Sequence, residues 1–465
     1  MPTADERSLA SSVPDPVLAI VRRLASVGRR AWVVGGCVRD VLLARREGAA
    51  AASRNDWDLA TDARPEEVMR AFPRVIPTGL RHGTVTVLDG GVAYEVTTLR
   101  GDVSYSDGRR PDAVRFVDDL VEDLARRDFT VNAMAWDPIG GRLVDPFGGV
   151  ADLEAKLLRA VGEPAARFAE DGLRVLRAAR FVATLELELE ERTAQAIEPS
   201  LASYRKVSAE RIRDEWMKTM KARRPSRAFE VMRAHGLLEA TAPELLDAVG
   251  CEQNRHHAWD VWTHTLACVD ACPPEAVLRV AALLHDIGKP RSRELSSKTN
   301  DYTFHDHERI GAEIAGPLLE RLRFSNDERG RVVALVRHHL VCYDERWTDA
   351  AVRRWVRRVG TELLPELYTL VRADVRAKGR DADDEVARVD ALEARAAALL
   401  AAGAALGVAD LAVNGAELVR AVGRTPGPWV GEVLRQLVEE VIEDPARNER
   451  GALLERGRAL ATSRA

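Results

Sequence analysis

Two aspartates one residue apart, Asp56 and Asp58 in Asn55-Asp56-Trp57-Asp58-Leu59-Ala60-Thr61, follow about twenty residues behind the glycine pair of Val33-Val34-Gly35-Gly36-Cys37-Val38-Arg39-Asp40. On a strand, residues i and i+2 point to the same face, so both carboxylates can grip one hard cation. The upstream segment reads as an apolar strand, a turn and then a helix from Cys37 to Ala44. Its glycines let backbone N–H groups approach a phosphate at a helix N-terminus, where the dipole favours anions. A phosphate cradle with metal carboxylates is what nucleotidyl transfer needs: a clamp on the triphosphate, and Mg²⁺ to activate a hydroxyl and carry developing charge. An isolated Asp-x-Asp is more often an exposed acidic pair. The ordered succession of the two motifs favours chemistry.

Three further motifs follow. Glu95-Val96-Thr97-Thr98-Leu99-Arg100 is a strand running into the polar loop Tyr105-Ser106-Asp107-Gly108-Arg109-Arg110-Pro111. Next come Arg126-Arg127-Asp128-Phe129-Thr130-Val131-Asn132-Ala133 and Glu170-Asp171-Gly172-Leu173-Arg174-Val175-Leu176-Arg177-Ala178-Ala179-Arg180-Phe181. Asp171, Arg174 and Arg177 step by three, which places them along one side of a helix. An Asp beside an Arg offers an acceptor and a donor to the edge of a base; the alternative is a solvent face of intrahelical Asp–Arg pairs.

A second constellation lies far downstream. His264, His285-Asp286 in Leu283-Leu284-His285-Asp286-Ile287-Gly288-Lys289-Pro290, and Asp374 can together hold a divalent ion through N and O ligands. Eight of the ten histidines fall between residues 256 and 339, so His305, His307, His338 and His339 are further candidates.

These residues need elements to position them. Residues 31–150 alternate short β-rich runs with helices, the runs being Ala31–Val34, Trp57–Ala60, Thr84–Leu88, Tyr94–Leu99 and Val114–Val117. Beyond Pro146-Phe147-Gly148-Gly149 strand signals nearly vanish, and apolar residues recur at i, i+3, i+4 between Gly and Pro breaks. Two segments read as loops, Glu47-Gly48 to Asn55 and Ser296 to Asp301; residues 381–407 read as an exposed helix and connector. The expected class is α+β. The expected domains are an N-terminal helix over 1–30, a catalytic head over 31–150, a helical neck over 151–235, a helical body over 236–380 and a helical tail over 381–465.

A chain of 465 residues exceeds one comfortable core, and 46% hydrophobic with 30% charged residues fits a soluble globular protein. Five cysteines without a CxxC pair, and an N-terminus bearing Asp5 and Glu6 in place of an apolar leader, point to the cytoplasm. The longest charge-free apolar stretch, Ala396 to Ala409, has 14 residues, too short to cross a bilayer. A net charge of −5 does not advertise nucleic-acid binding. Yet from Arg205 to Arg227 nine Lys/Arg face three acids, and Lys218, Lys221, Arg223 and Arg224 are candidates for RNA backbone contacts, weighed equally against a solvated helix face.

The order Gly-Gly-x-Val-Arg-Asp, Asp-x-Asp-x-x-Thr, Arg-Arg-Asp-Phe-Thr-x-Asn-Ala, Glu-Asp-x-x-Arg resembles the class II tRNA nucleotidyltransferases, the CCA-adding enzymes related to bacterial poly(A) polymerase, over about residues 30–235. The resemblance implies a polymerase-beta-like head followed by helical neck, body and tail. It implies that Asp56 and Asp58 hold Mg²⁺, with Glu95 a third candidate carboxylate, and that Gly35, Gly36 and Arg39 bind the triphosphate. Arg126, Arg127, Asp128 and Asn132 would serve the sugar and phosphates, and Asp171 and Arg174 would pair with the base, with Arg177 and Arg180 nearby. Partners are then tRNA, CTP and ATP, without a membrane.

The loop Asp107 to Pro111 matches the family's intact flexible loop, which implies that the A-adding step is retained. His-Asp-x-Gly-Lys-Pro resembles the HD superfamily of metal-dependent phosphohydrolases and implies a transition metal such as Ni²⁺, Mn²⁺ or Co²⁺ at His264, His285, Asp286 and Asp374. Competing readings are A-only or poly(A) addition, an HD phosphohydrolase with a relic head, and non-catalytic RNA binding. The retained Asp pair speaks against the last two. Composition does not indicate an oligomeric state.

Overall fold

The computed structural model describes residues 2–46, 48, 57–101 and 115–462; Asp56 and the loop from Asp107 to Pro111 lie outside them. The chain divides into two compact units, Met1–Thr241 and Ala242–Ala465.

In the first unit, helices Ala4–Ser12 and Asp15–Ser26 precede a seven-stranded sheet. Its strands are β1 (Ala31–Val34), β2 (Leu59–Thr61), β3 (Val75–Gly79), β4 (Thr84–Asp89), β5 (Val92–Thr98), β6 (Ala135–Asp137) and β7 (Arg142–Val144), in the order β3-β4-β5-β2-β1-β6-β7. β1, Ala-Trp-Val-Val, is buried throughout and pairs antiparallel with both β2 and β6. β2 runs parallel to β5, with Leu59 opposite Val96. Alternation then places Val34, Asp58, Ala60, Glu95 and Thr97 on one face. Val33, Leu59, Val85, Val87 and Val96 form the buried opposite face. β-branched residues suit such a doubly constrained surface.

Three of these strands, β3, β6 and β7, exceed the sequence expectation, because runs this short or exposed gain their geometry from pairing. The expected run Val114–Val117 survives as Arg115–Phe116, which pairs with Arg100–Gly101 apart from the main sheet.

Helix α1 (Gly36–Arg46) leaves the end of β1. Beyond the sheet come α2 (Leu173–Thr184) and α3 (Ala209–Thr219), with Ser226–Ala234 packed on α2. Edge-on aromatic pairs lock this layer: Phe181 of α2 against Phe129 at 5.7 Å, and Trp216 of α3 against Phe229 at 5.3 Å. Such pairs contribute about 0.5–1.5 kcal/mol beyond their burial.

Among its described residues the second unit is helical apart from one hairpin, Arg293–Ser296 with Asp301–Phe304, whose turn is the loop read from Ser296 to Asp301. Its helices include α4 (Val261–Ala271), α5 (Ala276–Leu284), α6 (His307–Arg321), α7 (Asn326–His338) and α8 (Leu364–Arg376). Helix Asp383–Ala401 buries only Val389, Leu392 and Ala396, in keeping with its weak apolar pattern. Toward the C-terminus, Leu418, Val433, Leu437 and Val441 centre a separate apolar cluster.

Candidate functional sites

A cleft of about 610 Å³ in the first unit gathers most of the residues singled out in the sequence: Gly35, Gly36, Arg39, Asp58, Glu95, Arg126, Arg127, Asp128, Asn132, Asp171, Arg174, Arg177 and Arg180. Asp58 stands one residue before β2 and Glu95 lies in β5, opposite it if the parallel register is extended by one step. Both are exposed toward the cleft, so two carboxylates of adjacent strands face one space. An all-oxygen donor set of this kind fits a hard divalent ion such as Mg²⁺.

The glycine pair works differently from the sequence expectation. Gly35 has φ +76° and its N–H donates to Met134 O at 3.1 Å, so that N–H is not aimed at a phosphate. A Cβ there would come within 2.6 Å of the Arg127 guanidinium. Gly35 thus makes room for a cation at the head of α1. Arg39, on α1, is buried and bonds Asp40 at 2.9 Å and Asn132 Oδ1; burial lowers its guanidinium to about 10.

Asn132 donates to Asp128 Oδ1 at 2.9 Å, and Arg177 Nη2 sits 2.6 Å from Asp128 Oδ2. Burial alone would raise the Asp128 carboxyl, but the Arg177 charge and the Asn132 and Arg177 hydrogen bonds hold it well below the usual carboxylate range. Arg180 Nε meets the buried Glu215 Oε2 at 2.5 Å and stacks on Phe181 at 3.9 Å.

Asp171 departs from the single-helix expectation. It ends the helix Pro164–Glu170 in an extended conformation, and α2 begins only at Leu173. The chain is close-packed here, since a Cβ on Gly172 would lie 2.3 Å from Ser203 O. Asp171 has no intrahelical Arg partner. Its Oδ1 accepts from Leu173 N at 3.0 Å, and Arg211 of α3 binds it bidentately, Nη1 to Oδ1 at 3.1 Å and Nη2 to Oδ2 at 2.7 Å. Arg174 donates to Glu170 Oε2 at 2.7 Å, to Arg167 O at 2.8 Å and to Arg126 O at 3.0 Å.

Arg211, Glu215 and Asp123 were missed in the sequence. The i, i+4 spacing of Arg211 and Glu215, and the offsets of Asp123 from Arg126 and Arg127, were the available signals. Asp123 lies 3.8 Å and 3.4 Å from those two arginines. Lys218, Lys221, Arg223 and Arg224 are all exposed; Lys218 bonds Glu215 at 3.1 Å.

In the second unit, His264 (α4), His285 and Asp286 (just beyond α5) and Asp374 (α8) meet in the interior. His264 Nε2 is 3.0 Å from Asp374 Oδ1 and 3.3 Å from Asp286 Oδ2; His285 Nε2 is 3.1 Å from Asp286 Oδ2. Of the further histidines, His307 and His339 join, with Nε2 atoms 3.5 and 3.6 Å from Asp286 Oδ1, whereas His305 is exposed and His338 is half-buried outside the cluster.

The Nδ1 atoms of His285, His307 and His339 bond the carbonyls of Ala282, Phe304 and Val336 at 2.7, 2.8 and 2.7 Å. Each Nδ1 is therefore the donor, which turns the Nε2 lone pair inward. The Nε2 atoms of His307 and His339 then approach to 3.2 Å, a repulsive arrangement that a cation relieves, while those of His285 and His264 stand 3.3 Å apart. Burial opposes a charge on His285, yet Asp286 and Asp374 raise it to about 10, so the pocket calls for positive charge. Lys289 Nζ, 2.6 Å from Asp286 Oδ2, supplies part of it. Gly288 is compulsory at this crossing, since its Cβ would lie 2.2 Å from His307 O.

Family models match three stretches: the poly A polymerase head domain over residues 31–159, the RNA and SrmB-binding site of polymerase A over 186–249, and tRNA nucleotidyltransferase domain 2 over 307–456. The A-adding tRNA nucleotidyltransferase of Deinococcus radiodurans is 36% identical over 420 residues, 88% of this chain and 91% of that protein. The CCA-adding enzyme of Lactiplantibacillus plantarum is 33% identical over 445 residues, 96% of each. With other curated relatives, such as the CCA-adding enzyme of Lactobacillus helveticus, the chain is 48% identical but spans only about half of their length, 52%. The crystal structure of the Bacillus stearothermophilus CCA-adding enzyme in complex with CTP superposes with a TM-score of 0.71 at 29% identity, covering 97% of this chain and all of that one.

Proposed function

The chain belongs to the tRNA nucleotidyltransferase family of CCA-adding and A-adding enzymes, with the family's α+β fold, and on that premise we propose that it adds C and A to the 3′ end of tRNA from CTP and ATP without a template. The observation that carries this reading is the single cleft that holds Asp58 and Glu95, the Arg39–Arg127 cations, and Asp171 with Arg174. Mg²⁺ held by Asp56 and Asp58, with Glu95 beside them, would activate the tRNA 3′ hydroxyl and carry charge developing on the triphosphate.

Arg39, Arg126 and Arg127 oppose the phosphates. Arg39 is held in place by Asn132 and Asp40, and Arg127 occupies the room left by Gly35. Asp171 accepts from the exocyclic amino group of cytosine or adenine, and Arg174 donates to the adjacent ring nitrogen. Uracil and guanine present a carbonyl where that amino group stands and are repelled. The exposed Lys218, Lys221, Arg223 and Arg224 support tRNA backbone contacts in the stretch that the RNA-binding model matches.

A gel assay tests this directly: tRNAs ending in the discriminator base, in C or in CC, each incubated with one nucleoside triphosphate. Stepwise C, C and A addition is expected. Extension of the CC-ending tRNA alone would favour A-only addition, a reading supported by the Deinococcus relative. Long A tracts would indicate poly(A) synthesis.

The inward-facing Nε2 atoms support a second reading for the other unit, a transition-metal centre at His264, His285, Asp286 and Asp374 with phosphohydrolase activity. Imidazole donors suit Ni²⁺ or Co²⁺ better than Mg²⁺, and Mn²⁺ is compatible with the carboxylates. Hydrolysis of 2′,3′-cyclic phosphates or phosphomonoesters under each metal tests it.

A further inference from the structure

Asp171 is placed to accept from the incoming base, yet two of its acceptor positions are already taken by a residue forty positions away, Arg211. We infer that Arg211 is a specificity-determining positioning residue: its bidentate grip fixes the Asp171 carboxylate so that a single acceptor position is presented to the base, which selects bases bearing an exocyclic amino group. The inference deepens the proposed function and rests on it.

The argument is one of valence. An ionised carboxylate has about four lone-pair positions. On Oδ1, Arg211 Nη1 takes one at 3.1 Å and Leu173 N the other at 3.0 Å. On Oδ2, Arg211 Nη2 takes one at 2.7 Å. Among the described residues one position is left, on Oδ2. A planar fork held to both oxygens also forbids rotation of the carboxylate, as one ammonium could not.

The supports of Arg211 point the same way. It lies on α3, and Glu215, four residues on, anchors that helix to Arg180 at 2.5 Å and to Arg177 at 4.0 Å on α2. The clamp therefore sits on a helix ion-paired to the helix that bears Arg174. Both Asp171 and Arg211 line the cleft, with side-chain exposures of 22% and 27%, so the pair is neither a solvent-exposed bridge nor a sealed core contact. A loosened carboxylate would swing and re-aim, and its remaining acceptor position would no longer single out the exocyclic amino group.

The test is the preference for CTP over UTP and for ATP over GTP in wild type, Arg211→Ala and Arg211→Lys. It is read as kcat/KM ratios on tRNA substrates and as equilibrium binding of the free nucleotides by titration calorimetry. Arg211→Ala should lose about 10-fold or more of the discrimination, in the range of one mispaired polar group. The change should appear as slower use of CTP and ATP together with relatively faster use of UTP and GTP. Arg211→Lys keeps the charge and loses the fork, so it should fall between, and it serves as the readout if the alanine variant does not fold. Wild-type discrimination retained in Arg211→Lys and in a folded Arg211→Ala overturns the clamp alone. A wild type that binds all four nucleotides equally and adds none overturns the proposed function together with it.

Discussion

Arg177 and Asp128 form an ion pair at 2.6 Å that ties α2 to the segment carrying Asn132, forty-nine residues earlier in the chain. Asp128 is buried, whereas the Arg177 side chain is 30% exposed. Through Asn132 the pair continues to Arg39, so the base-reading helix and the phosphate-facing cations share one polar network. Its sign can be read in acid. The folded Asp128 carboxyl lies below its unfolded value of about 3.9, so its stabilisation is present above about pH 4 and is lost as pH falls from there toward the folded value. Asp128→Asn should lower stability near neutral pH by about 3 kcal/mol and flatten the acid limb of a melting-temperature profile below pH 4. An acid limb as steep as in the wild type would show that other carboxylates govern it.

Asp58→Ala, and separately Asp56→Ala, should abolish C and A addition alike, each by about 10³-fold or more, since both steps need the same metal geometry. Folding should survive, because the cleft-facing Asp58 carboxylate is exposed. Substantial incorporation by either variant would displace the proposed catalytic centre.

Arg174→Ala should slow addition and relax discrimination against UTP and GTP, at a cost of about 1.5–3 kcal/mol for one charged hydrogen bond. Unchanged selectivity with a normal fold would leave Arg174 as a tether between Glu170 and the Arg126 and Arg167 carbonyls, the partners it bonds here.

Neutralising Lys218, Lys221, Arg223 and Arg224 together should weaken tRNA binding and reduce its salt slope by about 0.7–0.9 for each phosphate left unneutralised. Affinity for free CTP and ATP should hold, because none of the four lines the nucleotide cleft. An unaltered slope would make this stretch a solvated face.

His285→Ala with Asp286→Ala should empty the second centre of bound transition metal, measured by elemental analysis of the purified protein, and abolish any metal-dependent hydrolysis. CCA addition should persist, since these residues lie in the second compact unit. Equal metal content in wild type and double variant would remove the centre.

The sequence by itself determined which donors the chain possesses and in what order. Asp58 and Glu95 were legible because alternation on a strand encodes shared faces, and β1 and β5 appeared close to where expected. Gly35, Arg127, Asp171 and His285 were named through the motifs that carry them, although the helical spacing read for Asp171 did not hold. Non-local partners were not legible. β6, only Ala135–Asp137, is a strand because it pairs with β1 about a hundred residues earlier, and a three-residue run has no period of its own. The extended Asp171 that pairs with Arg211 forty residues on, and the convergence of His307 and His339 on Asp286, depend on elements packed from distant segments. Periodicity is a local property, whereas the meeting of side chains across a cleft or within a core is decided by the packing of whole elements.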